Sequence, residues 1–284
     1  MLKGPFLSKD WIGANPNYNT ADWVLLGLPY DGTCSYRPGT RFAPEEIRLA
    51  SWGLEEYSPD IDREMSDISF YDAGELDIPF GNREAILKQI KNNVLDALND
   101  GKKVFGVGGE HLVTLPEVEA YLTKYPDLCI IHFDAHTDLR EDYLGEKLSH
   151  AAVIRRICEK LQTPKNLCQA GIRSGEKYEF DFMKKHNTFC ANIEEFQARI
   201  GEFSDKPIFI TVDLDVLDPS IMSGTGTPEA GGFSYNELVD YLKAIKGKNI
   251  VGMDIVELSP HYDASGVSTA VAAKLIREML LLFA

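Results

Sequence analysis

The chain has 284 residues, 44% of them hydrophobic and 26% charged, the composition of a globular protein long enough to bury a sizeable core. Its formal net charge of −15 argues against nucleic acid as a partner and favours a cationic one. Cys34, Cys129, Cys158, Cys168 and Cys190 are odd in number, scattered and never in a CxxC, which predicts neither a disulfide framework nor a cysteine zinc site; with no apolar leader in MLKGPFLSKDW and a terminal MLLLFA too short to span a bilayer, the expectation is a cytoplasmic protein without a membrane partner.

In chain order, residues 1–20 are rich in Asn, Gly and Pro and predict an irregular arm. Apolar runs at 23–28, 103–107, 128–133, 167–172, 207–212 and 249–254 predict buried parallel strands, with weaker candidates near 67–71 and 188–190. Helical patterns fall between them at 43–51, 82–101, 113–124, 149–160, 176–185, 234–246 and 264–282. In the second of these, Ile86, Ile90, Val94 and Leu98 stand four apart and Gly101 closes the helix. This alternation predicts an α/β fold with a parallel sheet covered on both faces, and no repeat or linker divides the chain, so 1–284 is expected to be a single domain.

Ligands of open α/β sheets bind beyond the carboxyl ends of the strands, and four such ends carry acid or imidazole here. After 103–107 comes GGEH with His111. After 128–133 comes DAHTD, in which His132, Asp134, His136 and Asp138 would share one face if the strand continued. After 207–212 comes TVDLDVLDP with Asp213 and Asp215, and after 249–254 comes DIVELSP with Glu257. Each stretch has an ordinary structural reading. GVGGEH lacks the third glycine of a dinucleotide fingerprint and serves as a tight turn; Asp and Thr in DAHTD also make turns and caps; Asp218 before Pro219 is a turn residue. Taken together, the four ends favour a metal, because carboxylates held close repel unless a proton or cation lies between them. Four carboxylates and two imidazoles without a thiolate suit a hard or borderline ion such as manganese. Six donors exceed what one ion with an open position needs, so two ions about 3.5–4 Å apart and a hydrolytic reaction are expected.

GGEH, DAHTD and DLDVLDP with GTGTP, in this order, resemble the ureohydrolases, and the resemblance runs from about residue 22 to 282. GTGTPEAGG and GIRSGE are closer to the agmatinases of that family than to its arginases. The resemblance implies a three-layer α/β/α arginase-like fold around a parallel eight-stranded sheet, two Mn2+ per chain, a homo-oligomer (trimer or hexamer), and hydrolysis of agmatine to putrescine and urea. It places one ion among His111, Asp134, Asp138 and Asp213 and the other among His136, Asp134, Asp213 and Asp215. It also gives Glu257 the substrate guanidinium and His150 the proton transfer to the departing amine. SHAAV around His150 departs from the SHGT common in agmatinases, and Arg140 stands where arginases carry an asparagine.

Other readings stay open at this point: another ureohydrolase (guanidinobutyrase, arginase or formimidoylglutamase), a single-zinc deacetylase of related fold, or a metal-stabilised scaffold without turnover. Ser149 could cap a helix that begins at His150. His132 is either a support for the ligands or a core histidine, and His261 could line a pocket mouth. The acidic loop DLREDYLGEKLSH, with Glu141, Asp142 and Glu146, predicts preference for a cationic substrate, and Arg140 is expected to pair with a neighbouring loop acid.

Overall fold

A computed structural model describes residues 10–79 and 81–284. Eight parallel strands form its main sheet: β1 (Trp23–Leu28), β2 (Phe70–Glu75), β3 (Lys103–Gly108), β4 (Cys129–Phe133), β5 (Leu167–Ala170), β6 (Phe189–Cys190), β7 (Ile208–Asp213) and β8 (Ile250–Val256). They lie in the order β2-β1-β3-β8-β7-β4-β5-β6. The helices are α1 (Ala43–Ser51), α2 (Arg83–Asn99), α3 (Thr114–Lys124), α4 (Val153–Cys158), α5 (Lys177–His186), α6 (Ile193–Gly201), α7 (Tyr235–Ala244) and α8 (Val267–Phe283).

Both faces of the sheet are covered, which gives three layers and explains why its strands read as continuous apolar runs. On β7, Ile208, Ile210 and Val212 face a core shared with α1, α6, α7 and α8, while Phe209 faces the opposite core with α2, α3 and α4. The four-residue spacing of α2 does what it predicts: Ile86, Ile90, Val94 and Leu98 are all buried on that second face. Two features are not in the sequence reading. One is α6, whose start is fixed by Asn192 accepting the backbone N–H of Glu195. The other is a short antiparallel pair, Tyr57–Ser58 with Arg63–Glu64. The predicted helix at 149–160 is shorter, beginning as a 3-10 turn at His150–Ala152.

Of the expected irregular arm, residues 1–9 lie outside the described residues. Its remainder is tied down, since Trp11 is buried and its backbone N–H donates to Asp72 at 2.8 Å. The sheet order has a direct consequence for function: β3, β8, β7 and β4 are consecutive neighbours at its centre. Being parallel, they present His111, Glu257, Asp213 and Asp134 at one edge.

Candidate metal centre and active site

At that edge the six candidate ligands converge. His111 Nδ1 lies 3.2 Å from Asp134 Oδ2, 3.2 Å from Asp138 Oδ2 and 3.4 Å from Asp213 Oδ2. His136 Nδ1 lies 2.9 Å from Asp215 Oδ2 and 3.5 Å from Asp134 Oδ1. Asp134 thus offers one carboxylate oxygen to each histidine, the disposition a bridging ligand requires.

The local backbone differs from a simple extension of β4. That strand stops at Phe133, so alternation accounts for His132 and Asp134 but not for His136 or Asp138. His136 is carried by a bridge to Ser174, and Asp138 turns back into the site through a left-handed backbone at φ 50°. Asp213 and Asp215 likewise do not share a strand face. A 3-10 turn, Leu214–Val216, swings Asp215 round, and the Asp213 carboxylate accepts the Asp215 N–H at 2.8 Å. Asp215 Oδ1 accepts the Ala135 N–H at 3.0 Å, which ties the β7 and β4 loops together.

The electrostatics are those of a cradle for cations. Burial and the Asp134 charge push Asp138 up to about 7, and burial with the charges of Asp215 and Asp134 holds Asp213 well above the usual range. Burial alone would raise Asp134, yet His132, His111 and His136 hold it well below. His111 Nδ1 is buried and, despite its three carboxylate neighbours, is aligned for a hydrogen bond with none of them. A buried ring nitrogen facing three carboxylate oxygens with no aligned hydrogen bond is a poor hydrogen-bonding arrangement and a good coordinating one. The residues present therefore fit a metal pair of the kind expected. His132 is a support: its Nε2 contacts Asp134 Oδ2 at 2.8 Å and its Nδ1 lies 3.1 Å from Gln169.

Above the cradle is a cavity of about 290 Å³ whose lining includes His136, Asp138, Asp213, His150, Glu257 and Arg140. Glu257 takes a left-handed backbone at φ 70°, a conformation that costs about 1–3 kcal/mol for an ordinary side chain. Its Oε1 accepts the His111 N–H at 2.7 Å. A Cβ on Gly226 would sit 3.2 Å from Oε2, so glycine keeps the approach to that oxygen open. Burial and the Glu110 charge hold Glu257 well above the usual carboxyl range.

His150 is half-buried; its backbone N–H donates to Thr33 Oγ1 at 3.1 Å, its Nδ1 lies 3.3 Å from the same oxygen, and its Nε2 lies 3.4 Å from Ser35 Oγ. Thr33 donates its hydroxyl proton to Glu110 Oε1 at 2.6 Å, which leaves its oxygen to accept from Nδ1–H and gives Nε2 the lone pair. Burial, with the charges of His111 and His136, lowers His150 to about 4. Ser149 holds the N-terminal position of the 3-10 turn, but its side chain makes no capping bond, because its hydroxyl turns to the Glu146 carbonyl at 3.5 Å.

Three further expectations change. The loop acids do not face the cavity: Glu141 pairs with Arg155, and Glu146 pairs with Arg83 at 2.6 Å. Arg140 lines the cavity, stacks over Tyr143 at 5.3 Å and pairs across the site with Glu176 at 3.4 Å, not with a loop neighbour. His261 packs edge-on against Phe42 at 4.8 Å and is absent from the cavity lining. The sequence reading missed Thr33, Ser35 and Tyr143, which have no motif signal, and Arg173, which sits within GIRSGE. Arg173 donates to the Asp215 carbonyl at 2.6 Å and the Glu229 carbonyl at 2.7 Å, tying the GTGTPEAGG segment to the ligand turn.

Residues 21–282 match the model of the arginase family. An agmatinase of Bacillus subtilis (strain 168) is 46% identical over 283 residues, covering 98% of this chain and 97% of the relative. A solved chain from Clostridium difficile is 46% identical with a TM-score of 0.90, covering 94% of this chain and 98% of the other. The agmatine ureohydrolase of Thermoplasma volcanium is 30% identical with a TM-score of 0.85, covering 97% and 94%.

Proposed function

The chain belongs to the arginase family and is an amidinohydrolase of the agmatinase type, and from that premise we propose that it hydrolyses agmatine to putrescine and urea with two manganese ions. The observation that carries the guanidinium part is Glu257. It is a buried, cavity-lining carboxyl with one oxygen fixed by a backbone amide, and no Arg or Lys pairs with it among the described residues. A planar cation arriving at the free oxygen supplies the missing partner and relieves the burial that disfavours its charge.

His111, Asp134, Asp138 and Asp213 would hold one ion, and His136, Asp134, Asp213 and Asp215 the other. When bound, the ions would supply a water of lowered pKa and Lewis-acid stabilisation of the developing charge. The chain's own groups do the rest. Glu257 binds and orients the guanidinium so that its carbon faces the cradle. His150 Nε2 accepts the proton released on attack and delivers it to the departing nitrogen, which must leave as an amine. Its neutral form, favoured by burial, has the lone pair this needs.

Agmatine is favoured over its carboxylate-bearing analogues by the resemblance to agmatinases and by the cavity's charge. Glu179 adds a buried carboxylate to the lining, and Arg140 is already paired with Glu176. We place the protein in the cytoplasm as a homo-oligomer, trimer or hexamer. No helix among the described residues is long and apolar enough to cross a membrane, and exposed Leu49 on α1 and Trp52 just after it offer apolar surface for assembly. The substrate assignment is tested by urea release from agmatine, L-arginine and 4-guanidinobutyrate side by side with manganese-loaded protein. The expected order puts agmatine first in kcat/KM; a higher value for either other compound overturns the assignment and leaves the amidinohydrolase chemistry in place.

A further inference from the structure

Behind the cradle, between α3 and the sheet, lies a second pair of acids. Glu117 on α3 and Asp254 on β8 are both 0% exposed. Their carboxyls face each other within hydrogen-bonding reach. Room for the pair comes from Gly106 on β3, which stands opposite Asp254 in the sheet; a Cβ there would lie 2.6 Å from both Glu117 oxygens.

Among the described residues, no hydrogen-bond donor reaches either Glu117 oxygen or Asp254 Oδ1, whereas Asp254 Oδ2 accepts the Thr114 hydroxyl at 2.7 Å. Three orphaned oxygens on two buried acids are untenable if both are ionised. One proton resolves them, with Glu117 as a neutral acid donating to Asp254 Oδ1. The proton belongs on Glu117 because the Thr114 hydroxyl reaches Asp254, whereas no hydroxyl donor among the described residues reaches Glu117. Burial and the Asp254 charge hold Glu117 well above the usual carboxyl range, and the other titratable groups acting on the pair are His111 and Tyr121.

Thr211 links the pair to the cradle. Its hydroxyl oxygen is 3.0 Å from His111 Nε2 and 3.5 Å from Thr114 Oγ1. With the Thr114 proton on Asp254, the Thr211 proton is directed at Thr114 Oγ1 and its oxygen accepts from His111 Nε2–H, which leaves Nδ1, facing Asp134, Asp138 and Asp213, as the nitrogen that would coordinate a metal. We propose that Glu117 and Asp254 share one proton and that this pair, acting through Thr211, is the positioning element that fixes the ring and tautomer of His111. The role toward His111 rests on reading His111 as a metal ligand; the shared proton does not.

The two halves are separable by experiment. The infrared difference between the metal-free wild type and Glu117→Gln at neutral pH should contain the carbonyl band of one neutral buried acid, over and above the bands that Asp138, Asp213 and Glu257 give in both proteins; a difference spectrum without that band overturns the shared proton. Manganese affinity is then measured for four variants by equilibrium titration. Glu117→Gln keeps a donor toward Asp254 and should bind manganese within about twofold of wild type. Glu117→Leu removes the donor to Asp254 and Thr211→Val cuts the link to His111, and both should lose about 10–100-fold, the usual effect of removing such support. Affinity unchanged in both overturns the positioning role, and if Glu117→Leu does not fold, Thr211→Val decides it. His111→Ala is the control on the premise: if it binds manganese as wild type does, the ligand assignment fails, and the positioning role with it, while the infrared result stands on its own.

Discussion

The floor and the rim of the cavity are built on opposite principles. On the floor, carboxylate oxygens are fixed by backbone amides: Asp134 accepts from His136, Asp213 from Asp215, Asp215 from Ala135 and Glu257 from His111. These groups are buried, and each is locked by a residue from its own turn or a neighbouring strand. At the rim, Arg140 and Glu176 are partly exposed, with side-chain exposures of 32% and 54%, and hold each other at 3.4 Å. On the proposed function, a floor so constrained would fix the chemistry at the guanidinium, and the rim, held by solvent-screened side chains, would act on the distal end of the substrate.

The largest effects should come from the floor. Asp134→Asn removes the one carboxylate that faces both histidines, so it should abolish measurable urea release and lower manganese content at both sites; Asp138→Asn, facing His111 alone, should be milder. Elemental analysis of both loaded variants checks this, and equal losses would show that Asp134 does not bridge. His150→Asn should keep the metals and substrate binding while kcat falls about 10²–10⁴-fold. Near-normal kcat would remove His150 from proton transfer. Glu257→Gln should raise KM and lower kcat together, with kcat/KM down by about 10²-fold, because one contact both binds and orients. A change in KM alone would make Glu257 a simple anchor.

At the rim the scale is smaller. An exposed ion pair is worth about 0–1 kcal/mol, so Arg140→Ala should change kcat/KM for agmatine by no more than about fivefold. The same variant, measured on 4-guanidinobutyrate, asks whether Arg140 admits carboxylates; a drop confined to that compound would show that it does.

A gradual effect is expected from the buried pair behind the floor. Glu117 is raised in the fold, so its contribution is fully present below the unfolded carboxyl value of about 4.3 and is lost as pH rises toward the folded one. The wild type should therefore lose thermal stability on going from acid to neutral pH more steeply than Glu117→Gln. Parallel Tm profiles for the two metal-free proteins would contradict this.

Much of this was legible in the sequence, for identifiable reasons. Strands buried on both faces must be apolar throughout, so the six inner strands announce themselves and the ligand-bearing loops follow them directly, whereas the edge strands β2, FYDAGE at 70–75, and β6, only two residues long, gave weak signals near 67–71 and 188–190. The short helix α6 escaped because Ile193, Phe196 and Ile200 supply only three apolar positions over two turns. The placing of His136 and Asp138 was hidden because the backbone leaves the strand at Phe133 and Asp138 reaches the site through a left-handed turn. The loop acids misled because charge counting cannot tell that Glu146 faces Arg83 and Glu141 faces Arg155. Thr33 and Ser35 come from a segment more than a hundred residues before His150, and only the fold brings them together.

The central claim, a hydrolytic site that needs two ions, is tested most directly by titrating the metal-free chain with manganese while following urea release from agmatine. Saturation is expected at two equivalents per chain, with activity rising as the second is taken up. Full activity at one equivalent, with no further uptake, would contradict it.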